Sequence, residues 1–457
     1  MPLSKASFEE LDQSRANFVE RNAQNAQTWN GPRGRSSVNR GNFRPTYRGI
    51  PQMRLTRRKF AIVSGAALTT AGIPWARAAG PPDKIRIGYA ISLNGPFTQA
   101  AAITTLPNYK LWIHDVNERG GIMVKQYGKR LPIDVVEYDD GSSQENAIRL
   151  TEKLISDDKV DFALPPWGTG MNVAVAPIYK KHGYPQLATT SIANGLAGLV
   201  RQFPTMFFFL AESVDYVAGL TAVLSKLKAA GKINNKIAML SVSDQFGTEL
   251  AAAADPGFKD AGFEIVLDRS YAVEVKDLSN ELKEAQASGA DTFAAFSYPP
   301  DTFMITAIAQ SIGYSPKVFY TGVGTAFSGF SQKFGAKAEG ILGIGGWDST
   351  TQAAKDFVKR HVEVTGQQPD RWASPEVYSS LECLEQAIEA AGVLDREKVV
   401  AALRTNTFHT VVGDLRLNKQ IRGEQFLVGQ WHDGEFSGIE PAEMHGARDL
   451  LFPKSQW

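Results

Sequence analysis

The strongest constraint on this chain is a rhythm that runs through it twice. Short apolar or alternating runs that suit strands are each followed by a longer stretch of helical period. Residues 84–90 alternate, with Ile85, Ile87 and Tyr89 on one side, and predict a strand. A turn at Asn94-Gly95-Pro96 leads into helix over 97–118, interruptible at Pro107, and Gly120-Gly121 ends it. Further strands are predicted at 131–138, 160–164 and 186–189. Between them lie a helix reaching residue 156, behind a capping box at Ser142 and Glu145, and a helix over 171–181. The second series has strands at 206–210, 237–242, 263–267, 292–296 and 318–321, with helices over 214–230, 248–261, 278–288 and 302–312. Helices near 353–365, 376–391 and 396–404 follow. Asp433-Gly434, between 426–431 and Phe436, is a hairpin signal. Alternation of this kind builds parallel sheets with helices on both faces. The strands are too many for one comfortable sheet, so an α/β architecture of two doubly wound parallel-sheet lobes is expected.

The first 79 residues stand apart from that rhythm. Residues 1–52 have no sustained apolar period, and Asn, Gln, Arg, Ser and Gly dominate from 22 to 48. Such a stretch cannot offset its ordering entropy by burial. It reads as a disordered extension, or as an over-long gene start upstream of Met53. Arg54, Arg57, Arg58 and Lys59 then form a positive region ahead of an uncharged run over 60–74, and Ala76-Arg77-Ala78 supplies a small-x-small cleavage pattern. Residues 53–79 therefore read as an export signal, with Thr56-Arg57-Arg58-Lys59-Phe60 resembling the twin-arginine motif.

Composition removes several function classes. Lys plus Arg is 49 against 48 for Asp plus Glu, so no bulk positive charge supports nucleic-acid binding. The single cysteine, Cys383, excludes an internal disulfide and thiolate metal clusters, and its apolar helical setting reads as core. No two of His114, His182, His361, His409, His432 and His445 have the close helical spacing of metal ligands. Gly128-Lys129 is followed by Arg130 and Gly231-Lys232 by Ile233, so neither is a phosphate-binding loop, and no GxSxG elbow is present. The glycine-dense run 340–346 lacks GxGxxG spacing and reads as close packing or a flexible joint. Asp139-Asp140 reads as a lead into a turn and helix. Neither a cofactor nor a metal is expected.

The distinctive chemistry falls in loops after strands, where open α/β sheets bind ligands. Asn94 and Phe97 follow the first strand, and Pro165-Pro166-Trp167-Gly168-Thr169-Gly170 follows the third. Thr189-Thr190-Ser191 follows the fourth, and Ser297-Tyr298-Pro299-Pro300 follows a strand of the second series. Glycines admit close backbone approach, helix-start N–H groups favour a carboxylate, and hydroxyls add donors. Trp167, Phe97, Phe246 and Tyr298 can wall an apolar or aromatic group. Taken singly, the threonines also suit helix caps and the aromatics also suit core packing. Four such loops at equivalent positions favour a cleft.

The region 83–435 resembles the extracytoplasmic solute-binding proteins of ABC transporters, in the branched-chain amino acid binding family. The likeness is carried by the order of IRIGYAISLNGPFTQ, GGIMVKQYGKRLPIDVVEYDDGSSQENA, LTEKLISDDKVDFALPPWGTGMNVAVAPI, YPQLATTS, SDQFGTELA, AIAQSIGYSPKVFYTG and FLVGQWHDGEF. The resemblance implies lobes of 83–204 plus 347–410 and of 205–346 plus 411–457, joined by crossings near 202–205, 343–347 and 408–412 and closing as a hinge. It implies a periplasmic, non-enzymatic protein that captures a small amino acid, aromatic acid or amide and delivers it to membrane permease subunits. An exported α/β enzyme, or a ligand-sensing receptor subunit with the same cleft, are the alternative readings. By resemblance Gly168, Thr169 and Gly170 fall where the family binds a carboxylate, and Thr189 and Thr190 fall in its second polar loop. Phe246 replaces a family tyrosine and Tyr298 falls at another aromatic contact. Near 322–325 amino-acid-binding members carry an acidic residue for the ligand's ammonium, whereas this chain has Gly324. An unpaired buried ammonium is costly, so an α-amino acid would need Asp244, Asp215 or Asp301 to supply the charge.

Overall fold

The computed structural model describes residues 82–457, and the extension and export signal lie outside them. Two groups of strands organise the chain. In the first, Ile85–Ile91 lies between Ile133–Asp139 and Phe162–Leu164, all parallel. Beside it, Gln186–Ala188 pairs with Met206–Phe208, which continues to Ile421–Arg422 and Leu417–Asn418. The second is a seven-stranded sheet, in the order Glu435–Glu440, Val428–His432, Leu342–Ile344, Val318–Thr321, Thr292–Phe296, Lys236–Val242, Glu264–Tyr271. Five of its strands are parallel, and the last hairpin runs antiparallel against Leu342–Ile344. The strand starting at Ile85 and that at Thr292 are apolar almost throughout because both their faces are covered by helices.

Strand pairing puts the first and last passages between groups later in the chain than the resemblance implies, the last by about fifteen residues, and leaves the middle one near 343–347. Met206–Phe208 is fully buried against Gln186–Ala188, so the chain leaves the first group after it, over 209–212. Leu417–Asn418 and Ile421–Arg422 also belong to the first group, which moves the last passage to 423–427. The middle passage follows Leu342–Ile344 and reaches the helix Gln352–Thr365. The helix Ala373–Ala391 then packs against Leu106–Glu118, the helix that follows the break at Thr105.

Local chemistry explains most boundaries. Asp433 and Gly434 both adopt positive φ, as a two-residue hairpin turn requires, and join Val428–His432 to Glu435–Glu440. The capping box expected at Ser142 does not form. Ser142 has φ 59°, and Ser143 is the cap, its hydroxyl accepting from the Asn146 N–H. Ser142 instead accepts from Phe97 N–H and donates to Asn94 C=O, tying two loops together. Asp139 and Asp140 occupy that same turn, and Cys383 is buried. Two short helices, Leu196–Gln202 and Ser328–Phe334, were too brief to show a period.

Candidate functional site

Loops from both strand groups meet around one narrow cavity of about 10 Å³, with room for a single water at most. From the first group come Thr104, Trp167, Gly168, Thr169, Thr190 and Ile192, and Leu210 comes from the passage that leaves it. Phe246, Tyr298 and Val323 come from loops after second-group strands, while Trp372 and Ala373 come from the start of the helix Ala373–Ala391. The location, beyond the carboxyl ends of parallel strands, is the one where α/β sheets place ligands.

The first wall is polar at its backbone. Gly168 has φ +95°, a conformation that suits glycine, and it turns the chain out of Phe162–Leu164 into the helix Thr169–His182. The Gly168 N–H donates to the Thr190 hydroxyl at 3.0 Å. That hydroxyl, used as acceptor there, keeps its own hydrogen for another partner. Thr169 Oγ1 donates to the Ile192 carbonyl at 3.0 Å and accepts from its N–H at 3.1 Å. Asn172 Nδ2 donates to the carbonyls of Pro166 and Gly168 at 2.8 and 2.9 Å, which fixes the loop. Trp167 Nε1 donates to Thr104 Oγ1 at 3.0 Å, so the indole is held at its polar edge.

The second wall is made of rings backed by buried acids. Phe246 and Tyr298 stack with centroids 4.9 Å apart. Across the cavity Tyr298 meets Trp167 at 5.3 Å and Phe97 at 5.5 Å, edge to face, and Phe97 meets Trp167 at 5.3 Å. The Tyr298 hydroxyl donates to Asp244 Oδ2 at 2.5 Å, while Asp244 Oδ1 caps the next helix at Gly247 N–H. Burial raises the Asp244 carboxyl above its ordinary range, and burial together with the Asp244 charge raises the Tyr298 phenol. Asp301, which accepts from Tyr271 at 3.3 Å, is pushed up to about 6 by burial although it lies in the first turn of a helix. Desolvation outweighs the helix dipole there.

Six of the residues singled out from sequence line the cavity: Trp167, Gly168, Thr169, Thr190, Phe246 and Tyr298. Phe97 packs on the rings just behind. Asn94 is exposed and donates to Asp139 at 2.7 Å. Gly170 faces Gln144 and Gln245. Thr189 and Ser191 are buried outside the lining, with Thr189 beside the Tyr109 phenol. Gly324, at φ +107° and pressed on Pro299, is also outside it, and its neighbour Val323 takes the place at the wall. None of Asp244, Asp301 and Asp215 reaches the lining: the first two are bonded to tyrosines, and Asp215 accepts from the Glu212 N–H in a helix cap. Thr104, Ile192, Leu210, Val323, Trp372 and Ala373 were not singled out. Of these only Trp372 had a visible signal, an isolated tryptophan just ahead of a helical run.

A second concavity lies on the outside of the first group, between the helices Leu106–Glu118, Gln352–Thr365 and Ala373–Ala391. Its walls mix charged side chains, Asp115, Glu118, Arg119, Arg360 and Glu382, with apolar ones such as Leu111, Phe357 and Val411. His114, Asp115 and Glu118 stand close enough to hold a metal ion. Arg360, however, pairs with both carboxylates. The glycine run 340–346 makes close packing: a Cβ on Gly343 would meet Thr325 at 2.7 Å.

The fold is an α/β architecture of mostly parallel strands with helices on both faces, and comparison with known proteins gives its family. Residues 84–435 match the family model described as periplasmic binding protein, and the chain belongs to that family. Among curated relatives, the Pseudomonas aeruginosa leucine-, isoleucine-, valine-, threonine- and alanine-binding protein is 24% identical over 356 residues, covering 77% of this chain and 90% of that one. A branched-chain amino acid transporter substrate binding protein from Streptococcus pneumoniae, solved with isoleucine, superposes with a TM-score of 0.67 at 19% identity, covering 81% of this chain and all of that one (100%). A solute binding protein of an ABC transporter from Rhodopseudomonas palustris, solved with 3,4-dihydroxybenzoic acid, has a TM-score of 0.66 at 17% identity, covering 82% and 99%. The architecture is that of type I periplasmic binding proteins.

Proposed function

We propose that this chain is the periplasmic solute-binding subunit of an ABC transporter and that its solute is a small aromatic carboxylate, delivered to membrane permease subunits. The observation that carries the solute class is the cavity lining, which brings together Trp167, Phe246, Tyr298 and Trp372 and in which no charged side chain takes part among the described residues. An α-amino acid brings an ammonium group that needs a carboxylate beside it once buried. The nearest acids behind the wall are engaged, Asp244 by Tyr298 and Gly247, and Asp301 by Tyr271. In this structure the rings close on one another, so a benzoate-like solute would enter as the walls part; it would then meet rings to cover its body and, at one end, a hydroxyl with a free hydrogen at Thr190 beside the start of a helix at Gly168. Family membership supports binding and transport, and the twin-arginine-like segment at Arg57 and Arg58 supports export. Thermal-shift screening with hydroxybenzoates, leucine, isoleucine and simple amides tests the reading. Stabilisation by the benzoates alone is expected. Stabilisation by leucine or isoleucine without any by benzoates would overturn the solute class.

A further inference from the structure

We infer that Trp372 couples the cavity to the segments that connect the two strand groups, so that one indole both meets the solute and holds the connections in the geometry seen here. The inference rests in part on the cavity being the solute site. Trp372 lines that cavity from the start of the helix Ala373–Ala391, and only 5% of it is exposed. Its backbone N–H donates to Asp370 Oδ1 at 2.8 Å, while its indole reaches the connections. Its Nε1 donates to the Tyr216 hydroxyl at 3.2 Å, with the two rings perpendicular at 6.1 Å. Tyr216 belongs to the helix that opens directly after the first connection, and its hydroxyl donates onward to Gln425 Oε1 at 3.1 Å, inside the third. The second connection passes the edge of the same indole. Gly345 has φ +83°, and a Cβ there would sit 1.9 Å from Trp372 Cδ1, so the backbone lies flush against the ring. One helical turn beyond Trp372, the buried Glu376 pairs with Arg422, which immediately precedes the third connection.

The arrangement is a chain of contacts with the cavity at one end and all three connections at the other. Tyr216 does not line the cavity, so it separates the two roles. Removing its hydroxyl breaks the bond to Trp372 and the bond to Gln425 while leaving every cavity ring in place. If Trp372 acts through this chain, Tyr216→Phe loosens the connections without touching the solute.

Hydrogen exchange by mass spectrometry on the full chain tests this without any ligand. Tyr216→Phe and Trp372→Phe are each expected to speed exchange at 345–351 and 423–427 by about five- to tenfold, the equivalent of one hydrogen bond. Exchange in Lys236–Val242 should stay unchanged. The double variant should exchange no faster than either single one, because both break the same chain. Unchanged exchange at the connections, uniformly faster exchange everywhere, or multiplying effects in the double variant would each overturn the inference. Should Trp372→Phe fail to fold, Tyr216→Phe alone decides by the same criteria. Calorimetric titration of the wild type with 3,4-dihydroxybenzoate and with isoleucine runs in parallel. Failure of the benzoate to bind counts against the solute class, whereas the exchange result stands on its own.

Discussion

The two walls of the cavity are built from different chemistry. The first-group wall presents backbone and hydroxyl groups, with Gly168 N–H, Thr169 and Thr190 held by internal hydrogen bonds. The second-group wall offers Phe246, Tyr298 and Val323, and its polar atoms point away, into Asp244 and beyond. One wall can therefore orient a polar end and the other can cover an apolar body. The charged concavity on the outside of the first group makes the contrast sharper. Part of its charge is already paired within it, Arg360 with Asp115 and Glu118, while Arg119 pairs with Glu385 outside the lining. A concave surface alone does not mark a solute site; free donors set against desolvated rings do.

Truncating the ring that bridges the walls gives the largest effect. Trp167→Ala removes contacts to Phe97 and Tyr298 and leaves Thr104 without its donor. Tryptophan-to-alanine changes at such buried positions cost about 3–5 kcal/mol of stability. Denaturant unfolding should show a loss of that size, and solute affinity should fall with it. A loss below about 1 kcal/mol would mean that the rings across the cavity do not pack as one cluster.

The acids behind the second wall give a smaller, pH-dependent effect. The Asp301 carboxyl sits at about 6 in the folded protein against 3.8 in its reference state. The folded state therefore holds the proton more tightly, so stability is present at low pH and is lost as pH rises from about 4 through about 6. Asp301→Asn should remove that slope, a difference of at most about 3 kcal/mol between pH 4 and pH 7. Melting curves across that range check it. An unchanged slope would place the charge of the second wall elsewhere.

The element order, and nearly every strand of the two series, was legible in the sequence because hydrophobic period and turn residues are local signals. Thr292–Phe296 and Val318–Thr321 begin and end where their apolar runs do. The first and last chain passages were displaced because strand pairing, which decides them, is non-local: nothing near Met206 says that it will pair with Gln186. The site was half legible for the same reason. Trp167, Gly168, Thr169 and Thr190 sit in loops directly after strands, where position in the rhythm is informative. Thr104 lies at a helix end and Trp372 more than two hundred residues further on, and the packing of the helix Ala373–Ala391 on the helices Thr98–Thr104 and Leu106–Glu118 brings them to one cavity. Asn94 and Gly324 had the right topological addresses, but their side-chain positions face other loops.

That last distinction yields the smallest effect and the most selective one. Thr190→Val keeps the shape of the side chain and removes the acceptor of Gly168 N–H together with the hydrogen available to the solute. Its loss should weaken binding by about 1.5–3 kcal/mol if the bonded group on the solute is charged, with a stability cost of about 1 kcal/mol from the orphaned N–H. Asn94→Ala removes an exposed amide that donates to Asp139, at a loop end outside the cavity. Surface changes of this kind stay within about 0.5 kcal/mol. Titration of both variants with 3,4-dihydroxybenzoate should give a weakened Kd for Thr190→Val and an unchanged one for Asn94→Ala. The opposite pattern would move the polar end of the site from the helix start at Gly168 to the turn held by Asp139, and with it the division of labour between the walls. Equal losses in both would instead mean that the turn holding Ser142, Asn94 and Phe97 transmits strain to the rings, since Phe97 N–H is bonded to Ser142 and its ring rests on Trp167.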